Sequence, residues 1–194
     1  MTIARDPLLI DVPASFETKR LSIRTYRPGD GPVVHEALAE SIDTLRHFLW
    51  FLPWIMEEQT LESAEIRARK CASNFIARID LAYLLFERAS GRLVGSVGMH
   101  RPDWQLPKVE IGYWMRSSAA RNGYASVAVR AMVEWAEGTL GARRIEIVTD
   151  ETNVASRRVA ESCGFVLEGI HRHALRARDG SLRNNCIYAR VPAE

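Results

Sequence analysis

The sequence predicts an α+β domain in which a mixed, mostly antiparallel and twisted sheet of about seven strands packs with about four helices. Short runs along the chain alternate apolar with polar residues, which is the period of a β-strand. Longer segments repeat apolar residues every three or four positions, which is the period of a helix. Three of the strand-like runs follow one another across short turns, so hairpins and antiparallel pairing are expected.

Composition and charge are those of a globular protein with a single domain over residues 1–194. Of these residues 47% are apolar and 26% are charged, which are ordinary fractions and enough for a sizeable core. The net charge of +2 predicts neither a nucleic-acid nor a membrane partner. The first residues do not predict a signal peptide, and the three cysteines lack metal-ligand spacing. We therefore expect a cytoplasmic protein with no bound metal.

The first half of the chain predicts one strand and two helices. Asp30 and Thr60 can cap the two helices, because their side-chain oxygens accept hydrogen bonds from the first free N–H groups. In chain order we expect an N-terminal lead-in at 1–16 on the edge of the fold, a strand at 20–26, and helices at 32–46 and 60–78.

The second half predicts six strands and two helices. Gly141 and Gly164 follow the two helical patterns and are typical of helix ends. The expected strands are at 81–87, 92–100, 108–115, 143–149, 165–177 and 182–191, and the expected helices are at 123–140 and 153–162.

A glycine-containing turn, ARNGYAS at 120–126, joins a predicted strand to a predicted helix. The first N–H groups of a helix have no intrahelical partner and carry partial positive charge, so this turn is suited to an anion. Gly123 removes a side chain where a phosphate would touch the backbone, and Arg121 and Ser126 can add donors. Neither a P-loop nor a dinucleotide fingerprint is present. Taken alone, the turn also suits an ordinary helix start.

The neighbouring stretches give this turn a specific context. VEIGYWM precedes it, and NVASRRVAESCGFVLEG begins 30 residues after Gly123. Together they resemble the GNAT N-acetyltransferase superfamily, in particular its branch of ribosomal-protein N-terminal serine and alanine acetyltransferases. ETKRLSIRTYRPGD resembles the opening strand of that branch, and FLWFLPW at 48–54 resembles its aromatic segment. The resemblance covers residues 17–191 and implies the GNAT fold, acetyl-CoA as cosubstrate and a homodimer.

The family's cofactor motif, Q/R-x-x-G-x-G/A, is matched by ARNGYA, with Ala120 in place of the usual Gln or Arg. The resemblance implies that an N–H group, that of Met115, polarises the thioester carbonyl. It also implies that Trp114, Met115 and Arg116 pair with the pantetheine arm. The backbone groups implied for the pyrophosphate are those of Arg121, Asn122, Gly123, Tyr124, Ala125 and Ser126.

Acetyl transfer to an amine needs a neutral amine, so a catalytic base that removes a proton from the acceptor is expected. An α-amine has a pKa of about 8 and a lysine about 10.4, so a base matters more for lysine. The resemblance implies Glu110 as the catalytic base, acting directly or through water. His100 ends the preceding strand and is the other candidate. The simpler interpretations are that Glu110 pairs with basic residues of a neighbouring strand and that His100 is a satisfied strand-end histidine.

The leaving thiolate needs an acid or a hydrogen-bond donor. Many family members place a tyrosine in the helix after the asparagine, but that position here is Ala160. The N-terminal acetyltransferase branch uses a serine three residues after the asparagine, which Asn153-x-x-Ser156 matches. The resemblance implies that Ser156 is catalytic and that Asn153 holds the pantetheine; Ser156 also suits helix capping. Asn184 or Asn185 stands where the branch usually has aspartate.

These observations predict an acetyl-CoA-dependent N-acetyltransferase that moves the acetyl group to a primary amine by direct attack on the thioester. The acceptor is a protein N-terminal α-amine or a small amine, and a basic stretch at 171–183 suits an acidic acceptor. The alternative is a non-catalytic acyl-CoA-binding sensor or scaffold, which the missing tyrosine at Ala160 favours.

Overall fold

A computed structural model describes residues 6–191 and shows one eight-stranded sheet with five α-helices. Within this range no helix is both long and apolar enough to cross a membrane. The strands are β1 (Ser15–Glu17), β2 (Leu21–Thr25), β3 (Leu81–Glu87), β4 (Leu93–Asp103), β5 (Lys108–Met115), β6 (Arg144–Asp150), β7 (Val166–Arg176) and β8 (Leu182–Arg190). The helices are α1 (Gly31–Leu49), α2 (Pro53–Met56), α3 (Leu61–Ile76), α4 (Tyr124–Gly138) and α5 (Val154–Ser162).

The α+β class and the mostly antiparallel sheet are confirmed, with one strand and one helix more than the sequence predicted. The extra strand, β1, has three residues and pairs with β2 at the edge of the sheet, within the predicted lead-in and just after it. The extra helix, α2, is a single turn that begins at Pro53. Both are too short to produce a periodic pattern in the sequence.

The sheet has helices on both faces. Its strand order is β1-β2-β3-β4-β5-β6-β8-β7. Helices α4 and α5 pack with Val109 and Ile111 of β5 on one face, while α1 and α3 pack with Trp114 of β5 on the other. We call these the α4–α5 face and the α1–α3 face. Successive residues of β5 therefore point to opposite faces.

Strands β5 and β6 form the only parallel pair that the described sheet contains, and they pair over just three residues. Lys108, Val109 and Glu110 of β5 pair with Arg144, Ile145 and Glu146 of β6. Beyond these residues the two strands no longer pair with each other, although β5 stays paired with β4 and β6 with β8. We call the gap between residues 111–115 of β5 and residues 147–150 of β6 the splay.

The predicted helix caps are only partly right. Thr60 caps α3 in a reciprocal capping box with Ser63, as its side-chain chemistry predicted. Asp30 precedes α1, but its side chain makes no capping hydrogen bond. Its carboxylate instead accepts from the Arg24 guanidinium, with oxygen–nitrogen distances of 2.7 and 2.8 Å. An ion pair to β2 has replaced the cap.

Arg116 joins the end of β5 to helix α1. Its side chain is 5% exposed and lies 2.6 Å from carboxylate oxygens of both Glu36 and Glu40. Glu40 also accepts from the Ser118 N–H at 2.7 Å. Hydrogen bonding to Ser118 and to Arg116 outweighs partial burial and lowers the pKa of Glu40 to about 2. This ionic cluster fixes the strand end from which the glycine turn begins.

We expect Glu40→Gln to lower the free energy of unfolding at pH 7 by about 1–3 kcal/mol, because charge-assisted hydrogen bonds are lost. The carboxylate ionises more readily in the folded state, where its pKa is about 2 against an ordinary 4.5. Its contribution is therefore complete above about pH 5 and disappears as the pH falls through about 2. Urea unfolding at several pH values should show the variant and wild type converging in acid. Glu36→Gln, at a carboxylate 66% exposed, is the control and should lose less.

Candidate functional site

The turn before α4 exposes a row of backbone donors. Gly123 is the N-cap of α4, with φ of +76°, and no side chain caps the helix. In the described part of the chain, no protein acceptor takes a hydrogen bond from the N–H groups of residues 121–126. The Arg20 guanidinium donates to the Asn122 carbonyl at 2.8 Å and adds positive charge beside the turn. These groups fit a pyrophosphate.

Gly123 has a backbone conformation that favours glycine, and the space above it is almost free of protein atoms. A Cβ at Gly123 would meet only the tip of Arg20, at 3.7 Å. The positive φ, in contrast, is a left-handed conformation that side-chain-bearing residues adopt at a penalty of about 1–2 kcal/mol. The space above Gly123 is open, and the prediction that the glycine leaves room for a phosphate stays a prediction. The glycine turns the chain so that the free N–H groups converge.

Three side chains of the turn point away from the row of donors. Tyr124 is buried and its hydroxyl donates to Glu87. The Asn122 amide donates back to the carbonyls of Ala119 and Ala120, at 3.3 and 3.2 Å. The Ser126 hydroxyl lies 3.3 Å from that of Ser162. The backbone N–H groups of these residues remain free of acceptors from the described chain, and Arg121 is an exposed side chain beside them.

The edge of β5 offers a second set of backbone groups. The Arg116 N–H donates to the Val94 carbonyl of β4 at 2.9 Å. Because N–H directions alternate along a strand, those of Trp114 and Arg116 face β4, while those of Tyr113 and Met115 face the splay. The predicted set Trp114, Met115 and Arg116 is corrected accordingly. Met115 and Tyr113 are thus the residues whose N–H groups face the splay, and their pairing with the pantetheine arm stays a prediction.

The start of α5 brings two hydroxyl groups together. The Asn153 side chain caps α5 by accepting from the Ser156 N–H at 3.1 Å. Asn153 is thus the residue whose side chain caps α5, and the Ser156 hydroxyl does not take part in the cap. It lies 2.9 Å from the hydroxyl of Tyr113, whose side chain crosses from β5.

Tyr113 is the residue that the sequence reasoning missed. The family pattern pointed to a tyrosine in the helix, at the position that is Ala160 in this chain and is fully buried. A tyrosine hydroxyl nevertheless reaches Ser156, because Tyr113 points to the α4–α5 face like Ile111. Burial raises the pKa of Tyr113 to about 12, so the phenol keeps its proton at neutral pH. The alternation of KVEIGYWM was the available signal.

Both predicted base candidates lie on the α1–α3 face, in different surroundings. The carboxylate of Glu110 is held by Arg101, with Nε 3.1 Å from one oxygen and Nη2 against the other. This is the simpler interpretation that the sequence left open for Glu110. The Nδ1 atom of His100 lies 2.9 Å from Asp80.

A tether links α1 to the β7–β8 hairpin. The Trp50 indole donates to the Arg176 carbonyl at 3.1 Å, and the Arg183 guanidinium lies 5.4 Å from the Trp50 ring centre. Arg183 also pairs with Asp150, at the end of β6, at 3.0 Å. Asn184 accepts from the His173 N–H at 2.8 Å. The aromatic segment and the basic hairpin thus meet beside the splay.

No group of three or more His, Cys, Asp or Glu side chains between residues 6 and 191 is arranged to hold a metal ion. The cysteines Cys71, Cys163 and Cys186 are free thiols.

Comparisons with known proteins agree with this geometry. A family model described as the acetyltransferase (GNAT) domain matches residues 20–166, which is more than half of the chain. The N-acetyltransferase YoaA of Bacillus subtilis (strain 168), itself uncharacterized, is 25% identical over 176 residues, 91% of this chain and 96% of its own length.

Two solved structures share the fold over most of both chains. RimL, a ribosomal L7/L12 alpha-N-protein acetyltransferase in complex with coenzyme A, superimposes with a TM-score of 0.80 at 22% identity, covering 92% of this chain and 96% of its own. The microcin C7 self-immunity acetyltransferase MccE, in complex with acetyl-CoA and AMP, gives a TM-score of 0.83 at 16% identity, covering 93% and 98%.

The chain therefore belongs to the GNAT acetyltransferase family. It is an N-acetyltransferase that depends on acetyl-CoA, as the sequence predicted. The non-catalytic alternative, which depended on the missing tyrosine at Ala160, is set aside. The turn at 120–126 and the free edge of β5 are the parts of this chain that fit the cofactor.

We expect Gly123→Val to weaken acetyl-CoA binding by about tenfold or more, since a β-branched residue resists the left-handed conformation and tilts the free N–H groups away. Calorimetric titration with acetyl-CoA measures the dissociation constant directly. Gly123→Asn is the matched control, because asparagine tolerates positive φ, and it should bind nearer to wild type. Equal binding by all three proteins would rule out the turn as the anion site.

Proposed function

We propose that the protein transfers the acetyl group of acetyl-CoA to a primary amine, and that its acceptor is the α-amine at the N-terminus of a protein. The observation that supports transfer best is the pair of hydroxyls, Ser156 and Tyr113, 2.9 Å apart on one side of the splay. Acetyl-CoA, when bound, supplies an activated acyl thioester. The chain must then stabilise an oxyanion, support a leaving thiolate and receive a proton.

Met115 is suited to stabilise the oxyanion. Its N–H faces the splay and has no partner on β6, because pairing between the strands stops at Glu110 and Glu146. A fixed backbone donor that needs no rearrangement is the usual device for stabilising developing negative charge on a carbonyl oxygen. The β4 ladder, in which Met115 pairs with Gly95, holds this donor in position.

Ser156 and Tyr113 are suited to support the thiolate. Tyr113 keeps its proton at neutral pH, because burial raises its pKa to about 12. Its hydroxyl has two acceptors on Ser156, Oγ at 2.9 Å and the carbonyl oxygen at 3.3 Å. When it donates to the closer Oγ, the Ser156 proton is free to point into the splay. The two hydroxyls form a short relay that holds a proton on the α4–α5 face. This relay replaces the tyrosine that many family members carry in the helix.

Three considerations favour a protein N-terminus as acceptor. An α-amine is about one-tenth neutral at pH 7, so it demands less of a base than a lysine does. Several similar structures are N-terminal acetyltransferases of ribosomal proteins by name, among them RimL. The tether from Trp50 to Arg176 places an aromatic ring and basic side chains beside the splay, where a peptide could lie.

The predicted homodimer and cytoplasmic location stay predictions.

The acceptor class is tested with wild-type enzyme and three probes: a serine-initiated peptide, the same peptide with its α-amine blocked and one internal lysine, and a small primary amine. We expect thiol release from acetyl-CoA to be fastest with the free serine N-terminus. Faster turnover of the blocked lysine peptide or of the small amine would contradict the proposed acceptor, and mass spectrometry locates the acetyl group.

We expect Ser156→Ala to lower kcat by about 10²-fold or more, because the donor to the leaving group is lost. Tyr113→Phe should give a smaller loss, and the double variant should be little worse than Ser156→Ala alone if the hydroxyls act as one unit. Steady-state thiol release measures these effects. Tyr83→Phe is the matched control, since the Tyr83 hydroxyl bonds to the Pro13 carbonyl instead. Unchanged kcat in Ser156→Ala would refute the relay.

A further inference from the structure

The imidazole ring of His100 lies flat across two glycines of neighbouring strands. Gly98 of β4 and Gly112 of β5 are directly paired. A Cβ added at Gly98 would come within 2.8 Å of the ring's Cε1, and one added at Gly112 within 2.7 Å of its Cδ2. Any side chain at either position would displace the ring. The glycine pair is therefore a seat for this imidazole.

The seat explains an otherwise unfavourable choice of residues. Glycine in the middle of a strand is destabilising by roughly 0.5–1 kcal/mol relative to alanine, and it usually marks a close approach of another group. Here two glycines occur at one cross-strand pair, in GSVGMH and EIGYW. The group that approaches closely is His100, two residues beyond Gly98 on the same face.

Asp80 fixes the orientation and the tautomer of the ring. Both of its carboxylate oxygens lie near Nδ1 of His100, at 2.9 and 3.0 Å. An ionised carboxylate only accepts hydrogen bonds, so Nδ1 must carry the proton. In the neutral ring the lone pair is then on Nε2, which has no hydrogen-bond partner among residues 6–191. The His100 side chain is 31% exposed, and its unpartnered Nε2 is not among the fully buried polar atoms of the described residues.

The seat lies at the mouth of the splay. Gly112 is the second residue beyond Glu110, the last residue of β5 that pairs with β6. His100 is on the α1–α3 face, whereas Ser156 and Tyr113 are on the α4–α5 face. The nearby charged groups are Asp80, the cross-strand neighbour Glu110 and its partner Arg101. Arg101 binds both oxygens of Glu110, so that carboxylate is already engaged in an ion pair.

We propose that His100 Nε2 is the general base for the acceptor amine and that Asp80 is the positioning residue for the ring. This inference rests on the proposed amine acetylation. A proton moves from the ammonium nitrogen to Nε2, and the released lone pair forms the new C–N bond. The C–S bond breaks and its electron pair goes to sulfur, while the nitrogen loses a second proton, which the Ser156 and Tyr113 hydroxyls pass to the thiolate as the neutral amide forms. The imidazolium, balanced by Asp80, then returns its proton to solvent.

The main test compares His100→Ala with wild type and Glu110→Gln, using the amine that the wild type acetylates best. His100→Ala should lose about 10²-fold or more in kcat, while its dissociation constant for acetyl-CoA stays within about twofold. Glu110→Gln should stay within about threefold of wild type. A loss in Glu110→Gln that equals the loss in His100→Ala would overturn the assignment.

Chemical rescue tests the seat itself. His100→Ala leaves an imidazole-shaped space over Gly98 and Gly112, so added imidazole should restore about tenfold or more of the lost rate. Adding Asp80→Asn to that variant should abolish the rescue, because nothing then orients the added ring. Failure of imidazole to restore any rate in His100→Ala would contradict a base held in this seat.

A spectroscopic readout separates this inference from the proposed function. The ¹⁵N shifts of the His100 ring in the protein without acetyl-CoA, recorded at pH 8, should show the Nδ1–H tautomer. Asp80→Asn should reduce that preference. The Nε2–H tautomer in wild type would overturn the proposal whether or not any amine is acetylated. Failure to acetylate any of the tested amines, with the Nδ1–H tautomer present, would instead refute the proposed function, and the orientation of the ring by Asp80 would be the only part of the inference left supported.

Discussion

The site depends on one interruption in the sheet, which is the early end of pairing between the parallel strands β5 and β6. Three residues of each strand pair, up to Glu110 and Glu146, and the strands then separate. The Arg143 N–H donates to the Pro107 carbonyl at 2.8 Å and fixes the start of this pairing. Unpaired strand N–H groups inside a fold need another partner. Those of Tyr113 and Met115 therefore define where an extended, amide-bearing ligand can add to the sheet.

The separation of the strands also divides the chemistry between two faces. On the α4–α5 face, the capped start of α5 presents Ser156 to Tyr113, which suits the support of a thiolate. On the α1–α3 face, the glycine seat presents His100, which suits the removal of a proton from an amine. The turn at 120–126 lies beyond the end of β5, and Arg116 anchors that end to α1. One strand thus carries the proposed oxyanion donor, one hydroxyl of the proposed relay and one of the two glycines beneath His100.

The sequence predicted the parts that depend on local chemistry. Thr60, Asn153 and Gly123 each stand at a helix start, where local backbone rules apply, and the seven predicted strands all occur. Contacts between segments that are distant in the sequence could not be predicted from local patterns. No local sequence pattern shows that Arg101 forms an ion pair with Glu110. Nor does one show that Asp80, just before β3, contacts His100 on the neighbouring strand β4. Tyr113 was missed because the family pattern directed attention to the helix, although strand alternation placed it on the correct face.

The most direct test of the splay as the cofactor site is amide hydrogen exchange, residue by residue, with and without saturating acetyl-CoA. The account predicts that exchange slows by about tenfold or more at the N–H groups of Tyr113 and Met115 and across residues 121–126, because each gains an acceptor. The N–H of Trp114 faces β4 and is the internal reference that should change little. Unchanged exchange at Met115 and Tyr113 under saturation would contradict the account.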